Sequence, residues 1–62
     1  MSSLERHQRI IEMVNAKGYE SVTRLCKVLK VSAVTIRKDL NLLEKNSKLY
    51  RTHGGASNTN PF

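Results

Sequence analysis

The chain is short of several things, and each shortage excludes a class of explanation. A single cysteine, Cys26, stands among 62 residues, so no internal disulfide can form and a reducing compartment is expected. His7, His53 and Cys26 have no metal-ligand spacing, and no bound metal is expected. No apolar run approaches the ~20 residues that span a bilayer, and the N-terminus carries no signal-peptide h-region. A domain this small buries only about 60% of the surface its unfolded chain exposes, which leaves little room for an enclosed active site beside a core. No nucleophile–base pair and no phosphate-cradling loop is present either, so neither catalysis nor a cofactor is expected. Acids are scarce, with five Asp and Glu against eleven Lys and Arg, and the net charge is +6. That excess favours a polyanionic partner, nucleic acid first and a membrane surface second. The composition describes one soluble, cytoplasmic, basic domain.

What the chain does contain is helical patterning with well-placed caps. Ser2 and Glu5 fit a capping box. Ile10, Ile11 and Val14, with Leu4 upstream, continue a helical stripe to about Lys17, and Gly18 suits a left-handed C′ position. Tyr19-Glu20 reads as a short extended link. Ser21 can cap a second helix in which Val22, Leu25 and either Leu29 or Val28 face inward. Arg24 places a cation in the first turn of that helix, where the dipole disfavours it. It is either a tolerated surface residue or a phosphate contact.

Only Lys30-Val31 separate the second helix from a third, capped by Ser32. Val31 and Ile36 are spaced as a hydrophobic staple. Ile36, Leu40 and Leu43 form one apolar stripe, and the helix should run to about Lys45, ending near Asn46-Ser47, where Asn tolerates the left-handed conformation. Two helices joined by so short a turn, the second basic and amphipathic, make a helix-turn-helix pattern. Leu49–Thr52 is β-prone, His53-Gly54-Gly55 marks a turn, and Ala56-Ser57 can pair back. The fold class expected is therefore mainly α: a three-helix winged helix-turn-helix with a small C-terminal β-hairpin wing, over residues 1–57. The polar Asn58–Phe62 segment, which holds the only proline, reads as the start of a linker.

Candidate DNA-contacting residues follow from the direction of each side chain. At 100° per residue, Val34, Lys38 and Asn41 point away from the apolar stripe, with Arg37 on its flank. Arg37 can fork onto guanine O6 and N7, and Arg37 or Lys38 can hold phosphate. The competing reading is a solvated face, or an Arg37 paired with Glu44 or Glu5. Thr35 and Ser32 can donate hydroxyls to phosphate at the helix N-terminus, although capping alone also explains Ser32. Val34 can meet a thymine methyl or line the turn. Asn41 suits adenine but lies further along, where only the backbone is in reach. Arg51 and His53 fall on the wing, where cations approach phosphates or the minor groove; for His53 the alternative is a turn residue bonded to local backbone. Cys26, between Leu25 and Leu29, reads as a small packed hydrophobe.

These residues strongly resemble the N-terminal DNA-binding domain of DeoR/GlpR-type bacterial regulators. The likeness runs from about Arg6 to Ala56. It is carried by Val31-Ser32-x-x-Thr35-Ile36-Arg37-Lys38-Asp39-Leu40, then Leu43-Glu44, then Arg51-x-His53-Gly54-Gly55-Ala56. Lys38 departs from a second Arg, Lys30 and Ser47 from Gly, and Arg24 from an acid. With Gly usual at position 30, Lys30 is expected to be left-handed. The resemblance implies a repressor of sugar or polyol metabolism acting on double-stranded DNA. It also implies a C-terminal domain that binds a sugar-phosphate effector and makes the full-length protein a homo-oligomer, joined through 58–62. The 62 residues alone are expected to be monomeric. The rival reading is a winged-helix module that binds an acidic protein surface instead of DNA.

Overall fold

The computed structural model describes residues 2–60. Its elements are α1 (Ser3–Lys17), β1 (Tyr19–Ser21), α2 (Val22–Leu29), α3 (Ala33–Lys45), β2 (Tyr50–Thr52) and β3 (Gly55–Ser57). This is the expected winged helix-turn-helix, with one strand more than the hairpin.

Each helix begins on a serine. The Ser2, Ser21 and Ser32 hydroxyl oxygens accept from the backbone amides of Glu5, Arg24 and Thr35 at 3.1, 3.0 and 3.2 Å. Each bond satisfies an amide that the helix itself leaves unpaired. α1 ends at Gly18, whose φ of 84° places it in the left-handed region while its amide donates to the Val14 carbonyl. α2 ends at Lys30, with φ 57° and ψ 46°, so a side chain occupies a conformation that glycine adopts at less cost. α3 ends at Lys45, as expected, but the residue expected to turn left-handed does not. Asn46, at φ −90°, still donates to the Leu42 carbonyl in helical fashion. Ser47 instead takes the left-handed turn, at φ 60°.

Ile10, Val14, Leu25, Ile36 and Leu40 fill the centre, and Val22, Leu29, Leu43, Leu49 and Ala56 complete the buried cluster. Val28 is 40% exposed, so Leu29 is the inward residue of that pair. Leu4, expected in the stripe of α1, is 68% exposed. It lies in the first helical turn, lining a groove with Ile11 and Leu43, and among the described residues no element covers it. Cys26 packs against the core cluster.

Tyr19-Glu20 is more than a link. β1 pairs antiparallel with β3 through Tyr19↔Ser57, Glu20↔Ala56 and Ser21↔Gly55. β2 pairs with the other edge of β3, giving the order β1-β3-β2. The small residues of the central strand allow this. A Cβ at Gly55 would run into the Glu20 carbonyl oxygen and lie 2.7 Å from the Tyr19 hydroxyl. The sheet thus ties the wing to the junction between α1 and α2. Past β3, the Asn58 amide donates to the Gly18 carbonyl at 3.1 Å, as does the Ser57 hydroxyl. Of the segment read as a linker, residues 61–62 lie outside the described residues. Among the described residues no helix is long and apolar enough to cross a membrane.

Candidate nucleic-acid interface

The two faces of α3 are set by its phase. Ile36, Leu40 and Leu43 turn inward, which sends Val34, Arg37, Lys38 and Asn41 outward, all exposed. Val34 is 59% exposed, more than a residue lining the turn would be. Among the described residues neither the Arg37 nor the Lys38 side chain makes a hydrogen bond or ion pair. Arg37 is therefore paired with neither Glu44 nor Glu5, and both cations remain open to an external anion.

At the N-terminus of α3, Ser32 is committed within the protein. Its oxygen accepts from the Thr35 amide, and its hydroxyl donates to Thr35 Oγ1 at 3.1 Å. The hydroxyl of Thr35 then remains as a donor at this end of the helix.

The wing lies against the same face. The Arg51 guanidinium donates from Nη1 to Asn41 Oδ1 at 2.6 Å, and the Arg51 backbone amide donates to Glu44 Oε2 at 2.8 Å. Asn41 and Glu44 are one helical turn apart, so both meet the edge strand β2. His53 and Gly54 form the exposed two-residue tip between β2 and β3, with Gly54 at φ 80°. The His53 ring has no hydrogen-bond partner among the described residues. A groove of about 650 Å³ separates the wing from α2 and the start of α3, and Thr23, Cys26, Arg37, Arg51 and His53 line it. Three side chains that can carry positive charge thus converge on one concave surface. The structure brings Arg37, Asn41, Arg51 and His53 together beside the wing, leaves Val34 and Lys38 exposed along α3, and holds Thr35 and Ser32 against each other at its N-terminus.

The inner side of α3 holds a charge cluster that sequence patterning did not single out. Asp39 is 5% exposed. Its carboxylate accepts from Arg6 Nε, from Arg6 Nη2 at 3.0 Å, and pairs with His7 Nε2 at 2.9 Å. Burial pushes the Asp39 carboxyl up, but the hydrogen bonds from Arg6 and His7 and the Arg6 charge outweigh it, leaving the pKa lowered. The bond to Asp39 in turn raises Arg6. The cluster ties the start of α1 to the inner side of α3. A clue existed: Asp39 lies three residues after Ile36 and four before Leu43, on the buried stripe, where a carboxylate needs a partner.

Residues 6–61 match the DeoR-like helix-turn-helix domain. The chain belongs to that family. Similar curated proteins include an uncharacterized HTH-type transcriptional regulator of Bacillus subtilis, YulB, 48% identical over 52 residues, covering 84% of this chain and 20% of that protein. The glycerol-3-phosphate regulon repressor of Haemophilus influenzae is likewise 48% identical over 52 residues, with the same coverage of 84% and 20%. The L-fucose operon activator of the same species is 45% identical over 51 residues, covering 82% of this chain and 20% of its own length. The chain spans about a fifth of the length of these relatives. No solved structure gives a significant match. The DeoR-like domain is a DNA-binding domain of transcription regulators, which is not an enzyme class. Its matched span contains both faces of α3, the Arg6 and His7 partners of Asp39, and the wing.

Proposed function

We propose that this DeoR-like domain binds double-stranded DNA sequence-specifically, with α3 in the major groove and the wing on the adjacent backbone or minor groove. One observation carries the reading: the outer face of α3 presents Arg37 and Lys38 with no hydrogen-bond or ion-pair partner among the described residues, beside a wing that adds Arg51 and His53. An exposed cation that no acid neutralises keeps its full attraction for phosphate. In this reading Arg37 forks onto a base edge and Lys38 holds phosphate. Val34 meets a thymine methyl, and Asn41 contributes from the next turn. The Thr35 hydroxyl approaches a phosphate at the helix N-terminus, where the dipole adds its attraction. Ser32 acts there by holding Thr35. Arg51 and His53 approach the neighbouring backbone.

Beyond the domain, relatives named 'glycerol-3-phosphate regulon repressor' and 'putative galactitol utilization operon repressor' support a cytoplasmic bacterial repressor of sugar or polyol metabolism. Its effector, a phosphorylated sugar, and its oligomerisation would belong to a further domain reached through residues 58–62, the DNA-binding unit being 1–57 and monomeric by itself. One relative is named an activator, so the direction of regulation belongs to the whole protein.

The test is fluorescence anisotropy with mixed-sequence duplex DNA across a salt series. Binding should weaken as salt rises, with a log–log slope of about −0.9 per phosphate contacted. No binding at low salt, together with capture by an acidic protein surface, would establish the protein-interaction alternative.

A further inference from the structure

The contact between Arg51 and Asn41 bears on what α3 can read. Asn41 is the most C-terminal of the candidate contact residues on α3, and an asparagine amide offers two opposite chemistries. With carbonyl and amino group both free, it pairs bidentately with adenine, accepting from N6 and donating to N7. Here the Arg51 Nη1 lies 2.6 Å from Asn41 Oδ1. A guanidinium has donors only, so the amide atom facing it must be the oxygen, and the amino group points elsewhere. The bond is charge-assisted and joins a planar cation to a neutral acceptor.

Arg51 reaches this surface contact from a backbone held to the same helix. Its backbone amide is fastened to Glu44 Oε2 at 2.8 Å. Its side chain is partly buried, with Nε shielded from solvent and without a hydrogen-bond partner among the described residues. Adenine approaching Asn41 would bring its N6 amino group, a donor, against a guanidinium that is also a donor. An acceptor, such as a phosphate oxygen, guanine O6 or thymine O4, would meet favourable partners on both side chains.

We propose that Arg51 is a positioning residue that locks Asn41 with its amino group outward, making position 41 a donor-only contact that disfavours adenine. The proposal rests on the DNA-binding reading above and sharpens it. Arg51 remains free to meet phosphate through Nη2, while Nη1 sets the chemistry of its neighbour.

The experiment selects binding sites from a randomised duplex library with wild type, Arg51→Met, Asn41→Ala, and the Arg51→Met/Asn41→Ala double variant. Methionine keeps an apolar stem and removes every donor. Arg51→Met should gain a preference for adenine at one position, about five-fold or more, and the double variant should lack it. Unchanged base preferences in Arg51→Met, with all sequences weakened alike, would make Arg51 a phosphate cation only and overturn the proposal. An adenine preference in wild type that Asn41→Ala abolishes would overturn it equally. If wild type binds no duplex at low salt, the underlying DNA reading falls instead, which the selection itself reveals. A second measurement needs no variant: 15N relaxation of the Asn41 side-chain amide in the free protein. An order parameter above about 0.6 supports the lock, and one below that value overturns it.

Discussion

Lys38 and Asp39 are adjacent in the chain, and α3 sends them into opposite circumstances. Asp39 turns inward, 5% exposed, with its carboxylate bonded to Arg6 and His7. Lys38 turns outward and meets no acid among the described residues. The inner charge is satisfied within the protein, so its worth should appear in folding. The outer charges are left unsatisfied, so theirs should appear in binding. A single helix thereby serves two purposes without conflict, because 100° of rotation per residue separates neighbours.

The strongest attack on this comparison is Asp39→Ala. It leaves the partly exposed Arg6 and His7 without their anion, and it should cost about 2 kcal/mol in chemical denaturation. A loss below roughly 0.5 kcal/mol, the scale of an ordinary surface position, would erase the distinction between the two faces.

On the outer face, Arg37→Ala should leave folding within about 0.5 kcal/mol. It should cost ~1–3 kcal/mol of DNA binding and relax specificity at one position, read by anisotropy on a panel of base substitutions. Lys38→Ala should instead weaken all sequences alike and flatten the salt slope by about one. Lys17, which lies 3.9 Å from Glu20 at the end of α1, is the charge control. If Lys17→Ala weakens binding as much as Arg37→Ala, bulk charge explains the affinity and the outer face of α3 has no special role.

Acid sharpens the comparison further. The Asp39 carboxyl is held below its ordinary value in the folded protein, so the unfolded chain takes up this proton first as pH falls. The stabilisation from Asp39 is therefore fully present above about pH 4 and lost as pH drops below it. Denaturant midpoints at pH 7 and pH 3 should converge more in Asp39→Asn than in wild type. An equal pH dependence in both would show that other carboxylates govern acid unfolding.

The smallest effect expected is at the turn that leads into α3. Lys30→Gly relieves the left-handed strain of a side chain at φ 57°, worth ~1–2 kcal/mol. Glycine's extra freedom in the unfolded chain returns roughly 0.4–1 kcal/mol of that. A net gain of about 0.5 kcal/mol in denaturation is expected; a loss would show that Lys30 makes a compensating contact.

Much of this architecture is legible in the sequence. Three serine caps, the glycine at 18 and the stripes of α2 and α3 are local features, each decided within four residues of chain, and each is where its spacing places it. The left-handed Lys30 was legible too, because a two-residue gap allows few turns and the family's glycine points to one of them. The limits of local reading show at Leu4, which has the correct helical phase but lies beyond the reach of the core. They show again at Ser47, where the final helical hydrogen bond of Asn46 moves the reversal on by one residue.

By itself, then, the sequence determined the helices, their phases and the cationic outer face of α3, because hydrogen bonds and side-chain periodicity along one helix are short-range. Only the tertiary structure decided the pairing of Tyr19–Ser21 with Gly55–Ser57, the union of Asp39 with Arg6 and His7, and the contact of Arg51 with Asn41. Strand partners 34 to 38 residues apart have no local signature, and three residues are too few to show an alternating pattern. A buried carboxylate announces that it needs a cation but not which one, since that depends on how α1 crosses α3. The direction in which Asn41 turns its amide likewise depends on where the wing comes to rest, and that is set by the packing of the whole domain.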